Sequence, residues 1–542
     1  MGNTVAAAKA ATGNRTGKRE GTRHFARDHL YTTSMTIAAS QQGKAKPPVT
    51  LSIVAGFAVL YGLVHSVARL GASHNLGEQE PLENIYAQTL ASGYSPNQLP
   101  LYDWLIWGLQ QLLPPDVTSF LLLKYSLLVA LACFMFIVAR RVTGSALWAL
   151  IAVESMALIY QIFWRLHETH THLIGAMVFS LAATWALIRC VDRQHIRDYA
   201  ILGCIIGLGC LTQLTFSIFV LAMAGACLVQ PSLRQRLATG KLLVTLPLTL
   251  LIISPHALWL LQSPERLAAF GESMHPSAWA GIGAPPLEAL WKSIETPILA
   301  LSPYIIFLFA LFPRTFGALI RRLRANHETD REPDWTRLIL HAVMLEWAGF
   351  IIISVAFGLQ RYSVQDLLPL FLVLPIALAD LARQTAPPAQ ASQRFMKLAL
   401  VISLIALLVR LAHMYVHEPV CRICRWGEPY AALAENMQTA GFRQGTILTS
   451  DAALGGNLRA HFPDSHVILE KAAKPSPVPD CPTARCVRTN PGAPPSNAAG
   501  ESGIINVVKV PWSHLWKPRG YRESSWWFVL SPAPSTDNST DQ

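Results

Sequence analysis

Long apolar segments recur along most of the 542-residue chain, and charged or turn-forming residues separate them. Most are about 17 to 23 residues long, the length a helix needs to cross the roughly 30 Å hydrocarbon core of a bilayer. We place eleven spans at 49–69, 118–139, 145–163, 169–188, 199–212, 214–230, 242–262, 298–313, 338–358, 364–382 and 396–416. The pattern predicts an all-α polytopic membrane protein. The segments 199–212 and 214–230 are either two spans or one kinked helix.

The composition agrees with a membrane protein and excludes several other classes. Apolar residues make up 52% of the chain and charged residues only 14%, whereas a soluble domain carries roughly 25% charged residues. With 33 Gly and 9 Cys, the chain is neither collagen-like nor a disulfide scaffold. We interpret the net charge of +11 as a signal of orientation in the bilayer rather than of a nucleic-acid partner.

The distribution of basic residues predicts how the chain is oriented. Residues 1–48 are polar and basic and lack the apolar core of a cleavable signal. We therefore expect a disordered cytoplasmic tail followed by a first span that acts as an uncleaved signal anchor. With this N-terminus inside, the loops that alternate on the cytoplasmic side carry most of the Lys and Arg, including six arginines from Arg314 to Arg337. Eleven spans then place the C-terminus outside.

The last 126 residues, 417–542, are predicted to form a small extracytoplasmic α/β cap domain after a transmembrane domain at 49–416. Strands are expected at 446–449, 467–469, 504–510 and 526–530, and a helix at 452–461. The segment 474–499 is rich in Pro, Ala and Ser and is expected to be an irregular loop. Within the transmembrane domain, the extracytoplasmic loops are predicted at 71–117 and 263–297.

Four of the cysteines lie in the predicted cap domain, at Cys421, Cys424, Cys481 and Cys486. An oxidising compartment favours disulfides among them. A zinc site is the alternative, although the second pair is separated by four residues and has no supporting His pattern.

The first outside loop is rich in carboxylates and aromatic residues. Glu78, Glu80 and Glu83 follow closely after the first span. Tyr86, Tyr102 and Trp104 come next, in a segment suited to the membrane interface. One interpretation is a merely acidic solvent-exposed loop. The functional interpretation is a general base, because partial burial at the membrane surface raises a carboxyl pKa towards the useful range.

The second outside loop is very short and combines a cation, a carboxylate and three imidazoles. It contains Arg165, His167, Glu168, His170 and His172. Ionisable residues at membrane depth mark functional sites by default. The His spacing raises the possibility of a bound divalent cation, but because the loop opens a helix, the three rings cannot all face one point. We therefore assign no metal ligands.

Charged residues also occur in or beside later spans. Glu154, Glu346 and Arg410 lie within predicted spans, where hydrogen bonding inside the bundle is the simpler explanation. Arg361 and Tyr362 occupy a short outside turn before a span. This Arg is either an interfacial anchor or a bidentate phosphate ligand at the level of the headgroups.

These features occur in an order that resembles the membrane glycosyltransferases of the family 39 type, relatives of protein mannosyltransferases and of the aminoarabinose transferases of lipid A. The resemblance covers roughly 50–415. The segments that support it are 78–83, 91–94, 100–105, Glu168, 207–212, 254–259, 361–362 and 368–369. The chain departs from the family pattern where an Asp-Glu pair is replaced by Glu78 and Gln79, and where a double Pro is replaced by Leu99 and Pro100.

The resemblance implies a GT-C fold in a bacterial inner membrane and a polyprenyl-phosphate-linked sugar donor, with an envelope lipid, glycan or protein as acceptor. Glu78 would deprotonate the acceptor hydroxyl, with Glu80 as the alternative catalytic carboxylate, and Glu168 would orient the acceptor or assist the base. Arg361, Tyr362 and Arg165 would bind the donor phosphate. No cofactor is required by this chemistry. The remaining candidates, for substrate contact, are Tyr86, Tyr102, Trp104, His167 and His256.

A non-catalytic scaffold for envelope assembly, or a lipid or glycan transporter, is the competing class. A transporter is expected to carry ionisable groups near the bilayer midplane on broken or repeated spans. Here the carboxylates gather in the outer loops, which favours the transferase. The replacements at Gln79 and Leu99 are what a chain that kept the fold and lost activity would also carry.

Overall fold

The computed structural model describes residues 49–168, 171–275, 281–324, 332–360, 367–421, 424–470, 485–494 and 504–531. The predicted tail at 1–48 and Arg361, Tyr362 and Cys481 lie outside these residues. The helices of the apolar part are α1 Leu51–Ala72, α2 Glu80–Tyr86, α3 Leu101–Gln110, α4 Val117–Thr143, α5 Ala146–Ser155, α6 Thr171–Arg193, α7 Ile196–Cys210, α8 Leu214–Val229, α9 Pro231–Leu237, α10 Leu242–Leu261, α11 Pro264–Met274, α12 Pro286–Leu311, α13 Arg314–Arg324, α14 Trp335–Phe357, α15 Leu368–Gln384 and α16 Ala389–Ala412.

Among the described residues, seven helices are long and apolar enough to cross a bilayer, or eight if the bent pair α8 and α9 forms one span. The chain is thus a multi-pass membrane protein. Each of the eleven predicted segments contains a helix, but the helices at four of them are shorter than a full span: α5, α7, α8 and α15. The segments 199–212 and 214–230 form two separate helices, because Gln213 between them is extended. Helix α12 begins at Pro286, earlier than the predicted 298.

The predicted span at 145–163 is not one helix. After α5 the chain forms a single 3₁₀ turn, Met156–Leu158, and Ile159 is extended, with φ −100° and ψ 111°. A π-helical turn, Gln161–Arg165, and one α-helical turn, Leu166–Glu168, follow. The interruption removes helical hydrogen bonds and brings the chain back towards the first loop before α6 begins.

Small residues allow α7 and α10 to pack closely. A Cβ at Gly203 would lie 2.6 Å from the carbonyl oxygen of Thr245, so a larger residue would force the helices apart. The hydroxyls of Thr245 and Thr249 donate to the carbonyls of Tyr199 and Gly203, both at 3.0 Å. Close packing between helices of this kind is common in membranes, where lipid is as apolar as the side chains and dispersion contacts matter most.

The C-terminal part contains α17 Tyr430–Thr439, α18 Ala452–His461 and the strands β1 Thr446–Thr449, β2 His466–Leu469, β3 Cys486–Pro491, β4 Ile505–Pro511 and β5 Glu523–Ser531. The sheet order is β2-β1-β3-β5-β4, with β1 parallel to β2 and β3. Strand β5 is antiparallel to β3 and β4. The prediction of an irregular loop over 474–499 is wrong at β3, which supplies the centre of the sheet.

The C-terminal domain packs on the first loop. Ile85 of α2 belongs to the same buried cluster as Leu454 and Val467. Arg459 donates to both the carbonyl and the side-chain oxygen of Asn84, whose amide in turn donates to Gly456 O at 2.9 Å. The helix that carries the first-loop carboxylates is therefore held from above by the C-terminal domain.

Candidate functional site

The carboxylates of the first loop lie in three different environments. Helix α2 begins at Glu80 with Pro81 in its first turn, and Glu78 precedes this helix with φ +46°, in the left-handed region that a non-glycine residue rarely adopts. Its side chain is exposed, whereas Glu80 and Glu83 are buried. The two buried residues are three positions apart and so lie on neighbouring parts of one helix surface.

Glu80 forms a buried ion pair with Lys124 of α4, at 2.9 Å. Its other oxygen accepts a hydrogen bond from Gly77 N at 3.0 Å. Burial alone would raise the pKa of Glu80, but the charges of Lys124 and Arg69 and the Gly77 N–H outweigh it and hold the pKa below its ordinary value. The ion pair thus favours the charged form of Glu80 and fixes α2 to the bundle.

Glu83 connects the first loop to the start of α6. Its Oε1 accepts a hydrogen bond from the Thr171 hydroxyl and lies 3.3 Å from His172 Nε2. Its Oε2 is buried and has no hydrogen-bond partner in the described part of the chain. The side chain is 1% exposed. A buried carboxylate oxygen without a partner is costly, so this oxygen is a candidate acceptor for a hydrogen bond from a ligand.

Asp103 of α3 lies in the same cluster and is fully buried. Gln98 Nε2 is 3.3 Å from Asp103 Oδ2 and 2.8 Å from His172 Nε2, and so joins the two residues. Burial raises the pKa of Asp103 to about 7, and the negative charge of Glu83 adds to this effect, while His172 and Gln98 oppose it. A carboxyl group of this pKa can exchange a proton near neutral pH.

Tyr102 completes the cluster. Its ring lies 5.2 Å from that of His172, and its hydroxyl is a second buried polar atom without a partner among the described residues. We refer to Glu83, Gln98, Tyr102, Asp103 and His172 as the loop cluster. Two unpaired buried oxygens within a group of acids, amide and imidazole suit a polyhydroxylated ligand, because sugar hydroxyls both donate and accept hydrogen bonds.

Aromatic residues flank the segment 89–99 between α2 and α3. Tyr86 stacks on Tyr94 with 5.5 Å between the ring centroids. Trp104 donates its indole N–H to Ala91 O at 2.7 Å. Burial raises the pKa of both Tyr86 and Tyr94, so both hydroxyls remain protonated near neutral pH. The predicted substrate contacts Tyr86 and Trp104 therefore border the same loop as Tyr102.

The segments 91–94 and 254–259, which are far apart in the sequence, meet at Gly93. A Cβ on this residue would lie 2.4 Å from the Trp259 ring, so the close approach requires glycine. His256 stacks on Trp259 at 5.6 Å, and its Nδ1 lies 3.1 Å from Ser92 O. Arg266 packs over Trp259 at 4.5 Å from the ring centroid. The structure thus brings the predicted residue His256 to the first loop, together with a cation that the sequence did not single out.

The side chains of the second loop lie in two different places. His172 enters the loop cluster, whereas His167 is buried with Tyr61 and Tyr125, 2.7 Å and 3.2 Å from their hydroxyls. Its ring stacks on His65 at 4.3 Å. This arrangement holds the turn that precedes Glu168, whose own side chain lies outside the described atoms. Arg165 lies in the preceding π-helical turn and has an interaction partner.

Arg410 of α16 reaches the same turn. Its Nη2 donates to His167 O at 2.8 Å, and its side chain is 2% exposed. Because this carbonyl belongs to the residue before Glu168, the last long span fixes the position of the second loop from inside the bundle.

Cysteines and histidines also meet near the end of α16. Cys421 and Cys424 form a disulfide, and Cys486 is also disulfide-bonded. Within the described residues, His413, His417 and Cys424 form the one group with metal-ligand spacing. Since the Cys424 sulfur is part of a disulfide, it does not offer the thiolate that zinc requires.

Sequence reasoning assigned no catalytic or binding role to Glu83, Gln98, Asp103 or His172, although it placed Glu83 and His172 in the two candidate loops. The signal was present in part: Glu83 is on the same short helix as Glu80, and Asp103 is next to Tyr102 and Trp104. Only the fold brings Asp103 beside His172, 69 positions further along the chain. The predicted phosphate ligands Arg361 and Tyr362 lie outside the described residues.

Comparisons with known proteins identify the class of the chain. The family model described as dolichyl-phosphate-mannose-protein mannosyltransferase matches residues 95–259. The lipopolysaccharide core galacturonosyltransferase RgtA of Rhizobium johnstonii is 25% identical over 415 residues, covering 76% of this chain and 80% of RgtA. RgtB of the same organism, also a lipopolysaccharide core galacturonosyltransferase, is 25% identical over 422 residues, covering 75% and 81%.

The fold has a counterpart among solved structures. The crystal structure of ArnT from Cupriavidus metallidurans bound to undecaprenyl phosphate matches 88% of this chain and 98% of that chain, with a TM-score of 0.57 and 14% identity. The two chains therefore share a fold. Together, the three comparisons confirm the predicted resemblance to membrane glycosyltransferases of the GT-C, family 39 type. The family model and the two relatives identify the chain as a glycosyltransferase.

Proposed function

We propose that the protein transfers a sugar from a polyprenyl-phosphate donor to an envelope glycolipid of the lipopolysaccharide core type, on the extracytoplasmic face of a bacterial inner membrane. The observation that carries the proposal is the loop cluster, where an Asp with a pKa raised to about 7 lies among polar atoms that lack partners. The acceptor class follows from the two lipopolysaccharide core transferases that cover most of the chain.

In the proposed reaction, an acceptor hydroxyl attacks the anomeric carbon in line and the lipid phosphate departs. The resemblance assigns the base to Glu78. The geometry supports Asp103 instead, because its pKa suits proton removal near neutral pH, while Glu78 is an exposed carboxylate. Glu83 would orient the hydroxyl through its unpaired Oε2, and His172, which lies beside Glu83, would contribute to this orientation. Glu168 remains a candidate second carboxylate on the loop that Arg410 holds.

The leaving phosphate requires positive charge, and no metal is needed if cations of the protein supply it. Arg361, Tyr362 and Arg165 are the candidates from the resemblance. Arg266 joins them because it packs on Trp259, beside His256 and the first loop.

Substrate entry requires movement of structure around the loop cluster, because Glu83 and Asp103 are almost completely buried. We propose that the segment 89–99 moves, since its Gln98 side chain contacts Asp103. Gly93 and the half-buried Tyr94 belong to this segment, and the half-buried Tyr86 precedes it. The proposal therefore predicts that the loop closes over the bound sugar and excludes water during transfer.

The direct test is sugar transfer in membranes that contain the full-length protein. Radiolabelled polyprenyl-phosphate sugars, galacturonosyl phosphate lipid among them, are incubated with an envelope lipid extract. We expect transfer by the wild type and a loss of at least about 100-fold for Asp103→Asn and Glu83→Gln. Glu435→Gln, which alters an exposed carboxylate of the C-terminal domain, is the matched control. Equal transfer by all four proteins would rule out the loop cluster as the site.

A further inference from the structure

A second site lies at the other end of the bundle. A cavity of about 710 Å³ opens between α13 and the C-terminal end of α15. Three arginines line it, Arg314, Arg321 and Arg322, together with the polar side chains of Gln384 and Thr385. Nothing in the glycosyl transfer described above uses these residues.

The cavity is far from the loop cluster. The C-terminal end of α16 adjoins α1 where the first loop begins, because Tyr415 donates to Ala68 O at 3.1 Å. Thr385 lies just before the N-terminal end of α16. This helix has 24 residues, which corresponds to a length of about 36 Å at 1.5 Å per residue. The cavity and the loop cluster thus lie on opposite sides of the membrane-spanning bundle.

The lining carries an excess of positive charge. Arg322 pairs with Asp334, and its Nε remains buried without a partner among the described atoms. Arg314 and Arg321 are exposed, and no carboxylate in the described part of the chain pairs with either of them. Asp380, a further carboxylate of α15, is already bonded to Arg383 and to the Gln384 amide, at 2.9 Å and 2.6 Å.

Helix α13 also presents apolar side chains to its surroundings. Phe316 is 57% exposed and Leu323 is 37% exposed. A short helix with basic and apolar faces lies in the membrane interface, with the apolar face among acyl chains and the basic face at the level of the phosphates. Arg suits this position because its planar guanidinium binds phosphate oxygens bidentately.

We propose that this cavity binds the phosphodiester headgroup of an anionic phospholipid. Arg314 and Arg321 contact the phosphate, and the free Nε of Arg322 supplies a further donor. The acyl chains lie along Phe316 and Leu323. The exposed apolar residues favour a lipid over free phosphate, since soluble phosphate has no use for them. The proposal does not depend on the sugar-transfer reaction.

The test measures lipid bound to the purified full-length protein by native mass spectrometry. The protein is titrated in a neutral detergent with phosphatidylglycerol and, separately, with phosphatidylcholine. We expect one phosphatidylglycerol to bind in preference to phosphatidylcholine, and Arg321→Gln and Arg314→Gln each to weaken this binding about fivefold or more. The matched control is Arg324→Gln, because Arg324 is an exposed arginine of the same helix that does not line the cavity.

Three outcomes would overturn the proposal. One is equal binding of the two lipids, and another is equal weakening by Arg324→Gln and Arg321→Gln, which would indicate nonspecific charge. The third is displacement of phosphatidylglycerol by millimolar inorganic phosphate, which would assign the cavity to a free phosphate. Thermal unfolding in lipid-free detergent checks that the variants fold, and Arg314→Lys, which keeps the charge, is expected to retain part of the binding.

Discussion

Gly456 of the C-terminal domain lies directly against Pro81 of the first loop: a Cβ on residue 456 would be 2.2 Å from the Pro81 carbonyl oxygen. The contact joins α18 to α2 without room for any side chain. Because α2 also carries Glu80 and Glu83, the position of the loop cluster depends on how the C-terminal domain docks.

Gly456→Ala is therefore expected to destabilise the protein and reduce transfer, because the backbone of Pro81 must move. Overpacking of this kind costs about 1 to 3 kcal/mol. The control is Gly108→Ala in α3, where a Cβ has open space around it and the helix gains about 1 kcal/mol in propensity. The measurement is the thermal unfolding midpoint in detergent, together with transfer activity. Equal midpoints for the two variants would contradict the proposed docking.

The Glu80–Lys124 pair is expected to stabilise the position of α2. Removing one partner by Glu80→Gln or Lys124→Met leaves a buried charge without its ion-pair partner and is expected to cost about 3 to 5 kcal/mol. The double variant is expected to lose less than the sum of the two single variants, because neither charge is then stranded. Strictly additive losses in the double-mutant cycle would show that the two residues do not interact energetically.

The lowered pKa of Glu80 predicts that the stability of the protein depends on pH. The pKa of Glu80 in the folded protein is lower than its ordinary value. A group with a depressed folded pKa stabilises the protein above its unfolded pKa, and this contribution is lost as the pH falls through the folded pKa. We expect the unfolding midpoint to decline below about pH 5 in the wild type and to decline less in Glu80→Gln. An identical decline of the unfolding midpoint at acid pH in the two proteins would contradict the ion pair.

Arg410 is expected to act on transfer through the second loop. Arg410→Met removes the hydrogen bond to His167 O and should displace the turn that carries Glu168, and small displacements of catalytic groups cost up to about 100-fold in rate. Arg394→Met alters an exposed arginine of the same helix and is the control. We expect kcat to fall in Arg410→Met, with KM for the donor little changed. A rise in KM alone would instead assign Arg410 to donor binding.

The apolar pattern was sufficient to predict helical segments, because hydrophobic length is set by the bilayer. It did not predict the break after α5, where Ile159 is extended in a run of apolar residues that gives no turn signal. Strand β3 was missed for a different reason. Cys486–Pro491 is short and follows a Pro-rich segment, and its pairing with β1 and β5 is a long-range interaction.

The site was predictable as a region rather than as a set of residues. The acidic loop and the aromatic residues were recognisable, and His256 does meet the first loop. The separate environments of Glu80 and Glu83 depend on Lys124 and His172, which come from two different spans. Charge and burial at each carboxylate are set by those tertiary neighbours, so local sequence could not distinguish the structural acid from the one beside the unpaired oxygens.

Asp103 is expected to lower stability at neutral and alkaline pH. Its raised pKa means that the folded protein favours the neutral carboxyl, so stability falls as the pH rises from about 4 towards 7. Asp103→Asn removes the charge and should unfold at a higher temperature than the wild type at pH 8, even though transfer is lost. A lower midpoint for the variant at this pH would argue that Asp103 is held mainly as a structural hydrogen-bond acceptor.

The most direct test of Asp103 as the base is the pH dependence of the rate constant kcat/KM for sugar transfer in the wild type, Asp103→Asn and Glu78→Gln, because kcat/KM reports the pKa of groups in the free enzyme. If Asp103 is the base, the wild-type rate rises as the pH increases through about 7 and then levels off, because the ionised carboxylate accepts the proton. For Asp103→Asn, the rate should fall about 100-fold or more and should no longer rise with pH. For Glu78→Gln, the rate should still rise with pH as it does in the wild type. The assignment would be contradicted if Asp103→Asn kept the wild-type rate and its rise with pH while Glu78→Gln lost both. Glu78 would then be the base.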